Sequence, residues 1–568
     1  MNTGWFAWVK ITILANNEDI LHMAGLDGYM FIKFLRWMMI LFGSFSILAN
    51  IVITPINATG GSDLYGLDSL TSSNINMDAF DRYWAHCLLA YFFIAATVYV
   101  CVRLMREYIK RKRSYLSDPS YCNKPHARTL FVGSIPAKLQ NTEQLAKIFG
   151  VYPGGITHIT INRSTKKLDR LIKKRDDIHN KMELAETQYI IACNKAGEKV
   201  TRPAHRTGYF GFSGPRVDSI DYYRVQLALM NAEIHHWRKQ YETFPPQKSA
   251  FIIFNNHIAA HMAAQTVVSH RFLHMDPRHV DVQPKDMIWE NLNLTPLELM
   301  VRGAVGEVLG VMVGAFWFFP VGIVNAAANL SKLQSLPGFE WIGEMNVKFL
   351  SFLQSILPII AISLLNKLVP KMYCRISKYQ GVPRKSDIEL SVMHKYYWFT
   401  VITFIIGSTV FGSVASIEEN FKRISKNSIE IFNIFATILP PNSTFFIAYI
   451  ILKALNAAAQ EILSPKDLVI RQLTTYLFAS TPRTKLTLSK LKEAEWGTLW
   501  ADQTIIYTIG AVYCTIAPIV SLFITMYFGI FLFVYKYQML FVYDTEITQS
   551  NGLFFVKSID QIFSGIYL

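Results

Sequence analysis

The sequence predicts an α-helical polytopic membrane protein with an inserted cytosolic α+β domain. Three observations carry this expectation. Hydrophobic residues make up 51% of the 568-residue chain, charged residues only 17%, and the mean hydropathy is +0.23. The charges sit in blocks between long apolar runs, whereas a soluble protein of this size spreads them over its surface. One stretch, about 114–290, breaks the pattern and alternates apolar and polar residues as half-buried strands do.

Eight candidate spans follow from the requirement of about 20 apolar residues to cross the hydrocarbon. They lie at about 30–55, 82–103, 297–323, 346–370, 396–415, 440–463, 503–520 and 521–541. The last two share one apolar run too long for a single untilted helix, and Pro518 near its middle predicts a tight hairpin. No signal-peptide layout opens the chain, so the first span is expected to direct insertion.

Orientation follows from the placement of Lys and Arg. The second span runs into Arg103, Arg106, Lys110, Arg111, Lys112 and Arg113, and the loops after spans four and six are also basic. Residues 56–81 contain neither Lys nor Arg, apart from which the third loop carries only Lys332. The N-terminus, the insert and the C-terminus are therefore expected in the cytosol. The net charge of +15 then suits an anionic membrane face. Sequons at Asn57, Asn329 and Asn442 fall outside but close to the bilayer.

The insert reads β-α-β, a long helical excursion, then β-α-β. The strands are RTLFVGSIP, GITHITINR, KSAFIIFNN and HVDVQPK, with helices starting near Asn141 and His257. This is a split ferredoxin-type or RRM-like arrangement. The excursion carries helices at about 165–195 and 218–243, expected to pair through Leu168, Leu171 and Ile172. Phe131 stands where an RNA-stacking ring would sit, but Ser249 occupies the place of a second ring, so no nucleic-acid partner is expected. His257 and His261 have a spacing that metal sites use, yet Ile258 replaces the zinc-protease glutamate. Both histidines are expected to face solvent.

The sixth span is the most informative. Lys453, Asn456, Gln460 and Glu461 fall at i, i+3, i+7 and i+8, which predicts one polar helical face. A lysine in mid-span costs roughly 2.5–3.5 kcal/mol on insertion scales, so it must meet water or a partner. Two readings stand: a polar wall of an ion or headgroup path, or an interhelical hydrogen-bond seam. In the third span Gly306, Gly310 and Gly314 predict close helix approach. Glu307 on that span is a candidate partner for Lys453, and Asn325 and Asn329 extend its polar side, as pore or packing residues. Pro358, Gly407 and Gly412 are candidate hinges. No phosphate loop, nucleophile elbow, paired catalytic carboxylates or metal-ligand set appears. Neither enzyme activity nor a cofactor is expected.

The stretches ARTLFVGSIP, GYFGFSGPRVDSIDYY, AFIIFNN, QPKDMIWENLNL, FPVGIVNAAANLSKLQSLPG, STFFIAYIIL and FVYDTE occur in this order. Together they resemble the OSCA family of calcium-permeable, stress-gated cation channels, relatives of the anoctamins, over about residues 5–555. The resemblance implies a homodimer with a pore in each subunit, gated by membrane tension or hyperosmotic stress and passing cations including Ca²⁺. It implies that membrane lipid is a partner and that the insert supports dimer contact. It places a pore-lining acidic residue at Glu461, whereas Lys453, Asn456 and Gln460 enter the pore only through helical phase. Lys453 stands where plant members carry an acidic residue, which would weaken conductance or calcium preference. Ala454, Ala457 and Gln460 stand where the family has glycines, so no hinge is expected there.

The expected organisation is a cytosolic segment (1–29), two spans (30–113), the insert (114–290), a six-span pore-type region (291–545) and a C-terminal segment (546–568). The family has a further span before the first one here and two more at the end. Residues 546–568 are thus expected to begin a truncated span. The expected function is a mechanically or hyperosmotically gated, calcium-permeable, non-selective cation channel in the plasma membrane or an internal membrane. The alternatives are a lipid scramblase of anoctamin type or, without the terminal spans, a non-conducting scaffold.

Overall fold

The computed structural model describes residues 6–76, 79–196, 200–208, 214–272, 274–317, 319–320, 365–406, 439–478, 481–544 and 549–567. In chain order the elements are α1 (Ala7–Leu14), α2 (Asn17–Ala58), α3 (Tyr83–Leu116), β1 (Thr129–Val132), α4 (Thr142–Phe149), β2 (Ile156–Arg163), α5 (Lys166–Ala196), α6 (Ser219–Lys239), β3 (Pro246–Phe254), α7 (His257–Gln265) and β4 (Arg278–Val280). There follow α8 (Pro296–Phe316), α9 (Lys385–Thr400), α10 (Ser443–Leu463), α11 (Trp496–Tyr513), α12 (Ile519–Phe541) and α13 (Leu553–Tyr567). The chain divides into two compact units: residues 1–122, 283–462 and 493–568, and residues 123–282 and 463–492.

Five helices among the described residues are long and apolar enough to cross a membrane: Asn17–Ala58, Tyr83–Leu116, Pro296–Phe316, Ser443–Tyr476 and Ile519–Phe541. Most of the fourth expected span and the second half of the fifth lie outside the described residues. The first expected span is part of a longer helix. Asn16 and Asp19 form a capping box that starts α2 ahead of the apolar run. Gly25 then breaks the helix at φ +67, a conformation that favours glycine. The break lets Asp27, fully buried, accept hydrogen bonds from Ser550 Oγ (2.9 Å) and Gly552 N (2.9 Å) at the start of α13.

The core of the first unit is aromatic. Phe31 of α2 meets Trp500 of α11 edge-on at 5.0 Å, and Phe42 stacks on Phe528 of α12 at 6.0 Å. Gly510 on α11 is required here, because a Cβ would stand 2.5 Å from the Phe42 ring. The expected hairpin is present: α11 ends at Tyr513, and Pro518 caps the start of α12.

The second unit contains a four-stranded antiparallel sheet in the order β2-β3-β1-β4, the ferredoxin-like arrangement. Val132 pairs with Ala250 and Leu130 with Val280, which fixes which residues face inward. Leu130, Val132, Ile252 and Phe254 pack on Leu145 and Phe149 of α4 and on Ala259, Ala260 and Ala263 of α7. Asn141 caps α4 through its side chain, and α7 starts at His257. The excursion forms the paired helices α5 and α6, with Leu168 and Ile234 buried and Leu171 and Ile172 half-buried. Phe131 is 1% exposed, against Phe251 at 5.4 Å, so its ring presents no free face for a base. His257 and His261 are half-buried, ring to ring at 6.3 Å, and not solvent-facing as expected, because their helix packs on the sheet.

Candidate functional site

Helix α10 runs without Gly or Pro from Ser443 to Leu463 and stops at Ser464, whose φ is +40, followed by Pro465. Its buried face is Phe446, Ile447, Ile450, Ala454 and Ala458. The i, i+4 spacing of these residues defines the packed stripe. Phe446 meets Tyr513 at 4.8 Å near one end of α11, and Lys453 meets Asp502 nearer the other, so α10 and α11 run antiparallel in contact.

Lys453 Nζ lies 2.9 Å from Asp502 Oδ1, with side-chain exposures of 18% and 32%. The ammonium also lies 5.7 Å from the centre of the Tyr449 ring. Each charge alone would be costly in hydrocarbon, and the pair satisfies both. Asp502 is the residue that sequence reasoning missed. It stands just ahead of the apolar run used to set the seventh span, but α11 begins at Trp496 and carries it inward.

The four polar residues do not form one face. Lys453 and Glu461 turn toward α11 and α12, whereas exposed Asn456 accepts from Gln460 Nε2 at 2.8 Å on the outward side. The reason is helical phase: Glu461 falls in the middle of the buried stripe, and Asn456 lies well away from it. Tyr543 donates to Glu461 Oε2 at 2.8 Å, and Gln538 Nε2 donates to the Glu461 backbone carbonyl.

Glu307 is not the partner of Lys453. It pairs with Lys395 at 3.2 Å and accepts from Gln380 Nε2 at 2.9 Å. Gln380 also reaches the Gly303 carbonyl at 3.2 Å, passing over Gly306, where a Cβ would stand 2.2 Å from its side chain. Gly310 takes a hydrogen bond from Tyr373 on its carbonyl at 3.3 Å. The spacing of the glycines thus serves close packing of α8 against the helical residues 365–379.

Asn325, Asn329, Pro358, Gly407 and Gly412 lie outside the described residues. Asn57 is fully buried: its amide donates to the Leu70 carbonyl at 2.9 Å, and its Oδ1 meets His86 Nε2 at 3.0 Å. A glycan has no access to it in this fold. Among the described residues no cluster of His, Cys, Asp or Glu could hold a metal ion.

Three family models match in order. Residues 1–104 match a family described as late exocytosis, associated with Golgi transport. Residues 127–291 match the cytosolic domain of a 10TM putative phosphate transporter. Residues 302–568 match a calcium-dependent channel, 7TM region, putative phosphate. The chain is 26% identical to the Saccharomyces cerevisiae protein named uncharacterized protein RSN1, over 100% of its own length and 61% of the relative's. It is 24% identical to phosphate metabolism protein 7 of the same organism, over 100% of the chain and 59% of the relative. It is 24% identical to hyperosmolality-gated Ca²⁺ permeable channel 1.4 of Arabidopsis thaliana, over 99% of the chain and 72% of that protein. The chain spans about six tenths of the length of the two yeast relatives. The chain belongs to the OSCA family, which includes the hyperosmolality-gated Ca²⁺ permeable channels of Arabidopsis thaliana.

Proposed function

We propose that the chain forms a mechanically or hyperosmotically gated, calcium-permeable, non-selective cation channel, with α10 along the conduction path. The observation that carries this reading is the neutralisation of Lys453 by Asp502. A free ammonium in mid-path would repel cations; a paired one leaves the carboxyl of Glu461, on the inward side of α10, to set the local field. Glu461, tied to Tyr543, is the acidic group of the path. The names of the Arabidopsis relatives support calcium permeation. The channel works as a homodimer in the plasma membrane, with its N-terminus and insert in the cytosol. Tension favours a state of larger in-plane area and so shifts a closed–open equilibrium. Patch recording under suction on the purified chain in liposomes is the test. Stretch-activated current carried by K⁺ and Ca²⁺ is expected, and silence from protein shown to be inserted and folded would sink the reading.

One observation favours a second reading, lipid scrambling. The Asn456–Gln460 amide pair stands beside Leu452 and Leu455, exposed by 67% and 62%, so polar and apolar groups share the outward face. Dithionite bleaching of labelled lipid in liposomes separates the two: scrambling without stretch-gated current selects this alternative.

A further inference from the structure

The cytosolic end of α3 carries a cavity of about 790 Å³ lined by Tyr99, Val102, Arg103, Arg106, Lys110 and Arg111, together with Glu107. Its charge is less balanced than that composition suggests. Glu107 is taken up by Lys33 at 2.9 Å and by the Tyr29 hydroxyl at 2.6 Å. Arg111 is taken up by Glu18 at 2.6 Å. Among the described residues Arg103 meets the Tyr99 hydroxyl at 3.5 Å and the Trp37 ring at 5.2 Å. Among the described residues, Arg106 and Lys110 have no hydrogen-bond or ion-pair partner. Arg103, Arg106 and Lys110 therefore form an exposed stripe of cations with no acidic partner among the described residues.

The lining residues all belong to α3, and the end of the cavity at Tyr99 and Val102 is apolar and continues along the span. Val102 is 45% exposed and Tyr99 60%, and Tyr91, Phe92 and Val98 extend the outward face toward the start of α3. The opposite face of the helix, with Cys101, Leu104 and Tyr108, is buried. The helix thus passes from a surface suited to acyl chains to one suited to anionic oxygens within two turns. Trp37 under Arg103 is placed as an interfacial anchor is. Clusters of Lys and Arg immediately beyond a span attract anionic headgroups.

We propose that this cavity binds the phosphate-bearing headgroup of an anionic phospholipid, with Arg106 and Lys110 as its principal ligands and Tyr99 and Val102 against the upper acyl chain. This does not rest on the channel reading, since the site exists whether or not the chain conducts. Because α3 leads directly into the insert, occupancy would bear on the chain segment that joins span to insert.

The test is native mass spectrometry of the full chain in detergent, titrated with dioctanoyl phosphatidylserine, dioctanoyl phosphatidylcholine and inorganic phosphate. The wild type is expected to retain the serine lipid in preference to the choline lipid. The double variant Arg106→Gln/Lys110→Gln is expected to weaken that binding roughly thirtyfold, given the usual worth of a basic residue near an anionic surface. Both side chains are exposed and bond nothing in the described protein, so folding is spared. Arg113→Gln, on the same helix but outside the cavity, is expected to change binding less than about threefold. Equal binding by wild type and double variant, or an equal loss in Arg113→Gln, overturns the site. Displacement of the lipid by equimolar inorganic phosphate assigns the cavity to a soluble anion and overturns the lipid reading.

Discussion

Lys453 of α10 and Asp502 of α11 meet as an ion pair at 2.9 Å, on two antiparallel helices of the transmembrane unit. The pair changes the meaning of the lysine. Taken alone, Lys453 is a positive charge on the sixth span; with Asp502 it adds no net charge and instead fixes the register of the two helices.

Removing one partner should therefore cost more than removing both. Lys453→Met leaves a carboxylate in a mostly apolar surrounding, and Asp502→Leu leaves an ammonium there. Each is expected to cost on the order of 2 kcal/mol, less than a fully buried pair because both groups keep some exposure. The double variant Lys453→Met/Asp502→Leu should recover most of that loss. Thermal unfolding of the purified variants checks this, and additive losses would contradict the coupling.

Two glycines make opposite predictions. At Gly497, at the start of α11, a Cβ would stand 2.4 Å from the backbone carbonyl of Glu389, an atom that cannot swing aside. Gly497→Ala is expected to cost roughly 1–3 kcal/mol, as overpacking does. At Gly303 on α8 a Cβ meets nothing within 4 Å among the described residues. Gly303→Ala should gain about 0.5–1 kcal/mol from the lower helical entropy cost. The two melting temperatures, measured in one detergent, should move in opposite directions.

Glu389 gives a pH dependence. It lies on α9 ahead of the fifth span, and burial pushes its carboxyl up to about 7, with Glu495 and Glu493 pushing the same way and the Gly497 N–H at 2.9 Å pulling back. A carboxyl whose folded pKa lies above its unfolded value binds more protons when folded. Its contribution to stability is thus complete below the ordinary carboxylate range of about 4.5 and is lost as pH rises to about 7. Glu389→Gln should flatten that slope and stabilise the protein relative to wild type above pH 7. Parallel pH dependence of the two melting temperatures would refute it.

The strands, the helical excursion and the Pro518 hairpin were legible because each rests on local patterning: alternation, helical stripes and a proline within an apolar run. The start of α2 was not, because Asn16 and Asp19 extend the helix through polar residues that hydropathy discounts. The polar side chains of α10 were legible as residues but not as an arrangement. Helical phase puts Lys453 near Asn456 but Glu461 about 140° away from it, and only the neighbouring helices decide which side turns inward. Asp502 and Gln538 belong to other elements, and their pairing with Lys453 and Glu461 is a matter of tertiary contact that no spacing encodes.

Glu461 allows charge and gating to be tested apart. Its carboxylate accepts from Tyr543, just beyond α12, and its backbone carbonyl accepts from Gln538 within α12. If α10 moves against α12 on opening, both bonds must break, and a hydrogen bond to a charged group is worth about 1.5–3 kcal/mol. Tyr543→Phe keeps the charge and removes one restraint, so it should lower the suction for half-activation while leaving the reversal potential in mixed Ca²⁺ and K⁺ unchanged. Glu461→Gln removes the charge, so the reversal potential should shift toward lower calcium preference. A reversal potential that ignores Glu461→Gln would place this carboxylate off the path, and a shift produced by Tyr543→Phe alone would mean that the phenol, not the acid, sets selectivity.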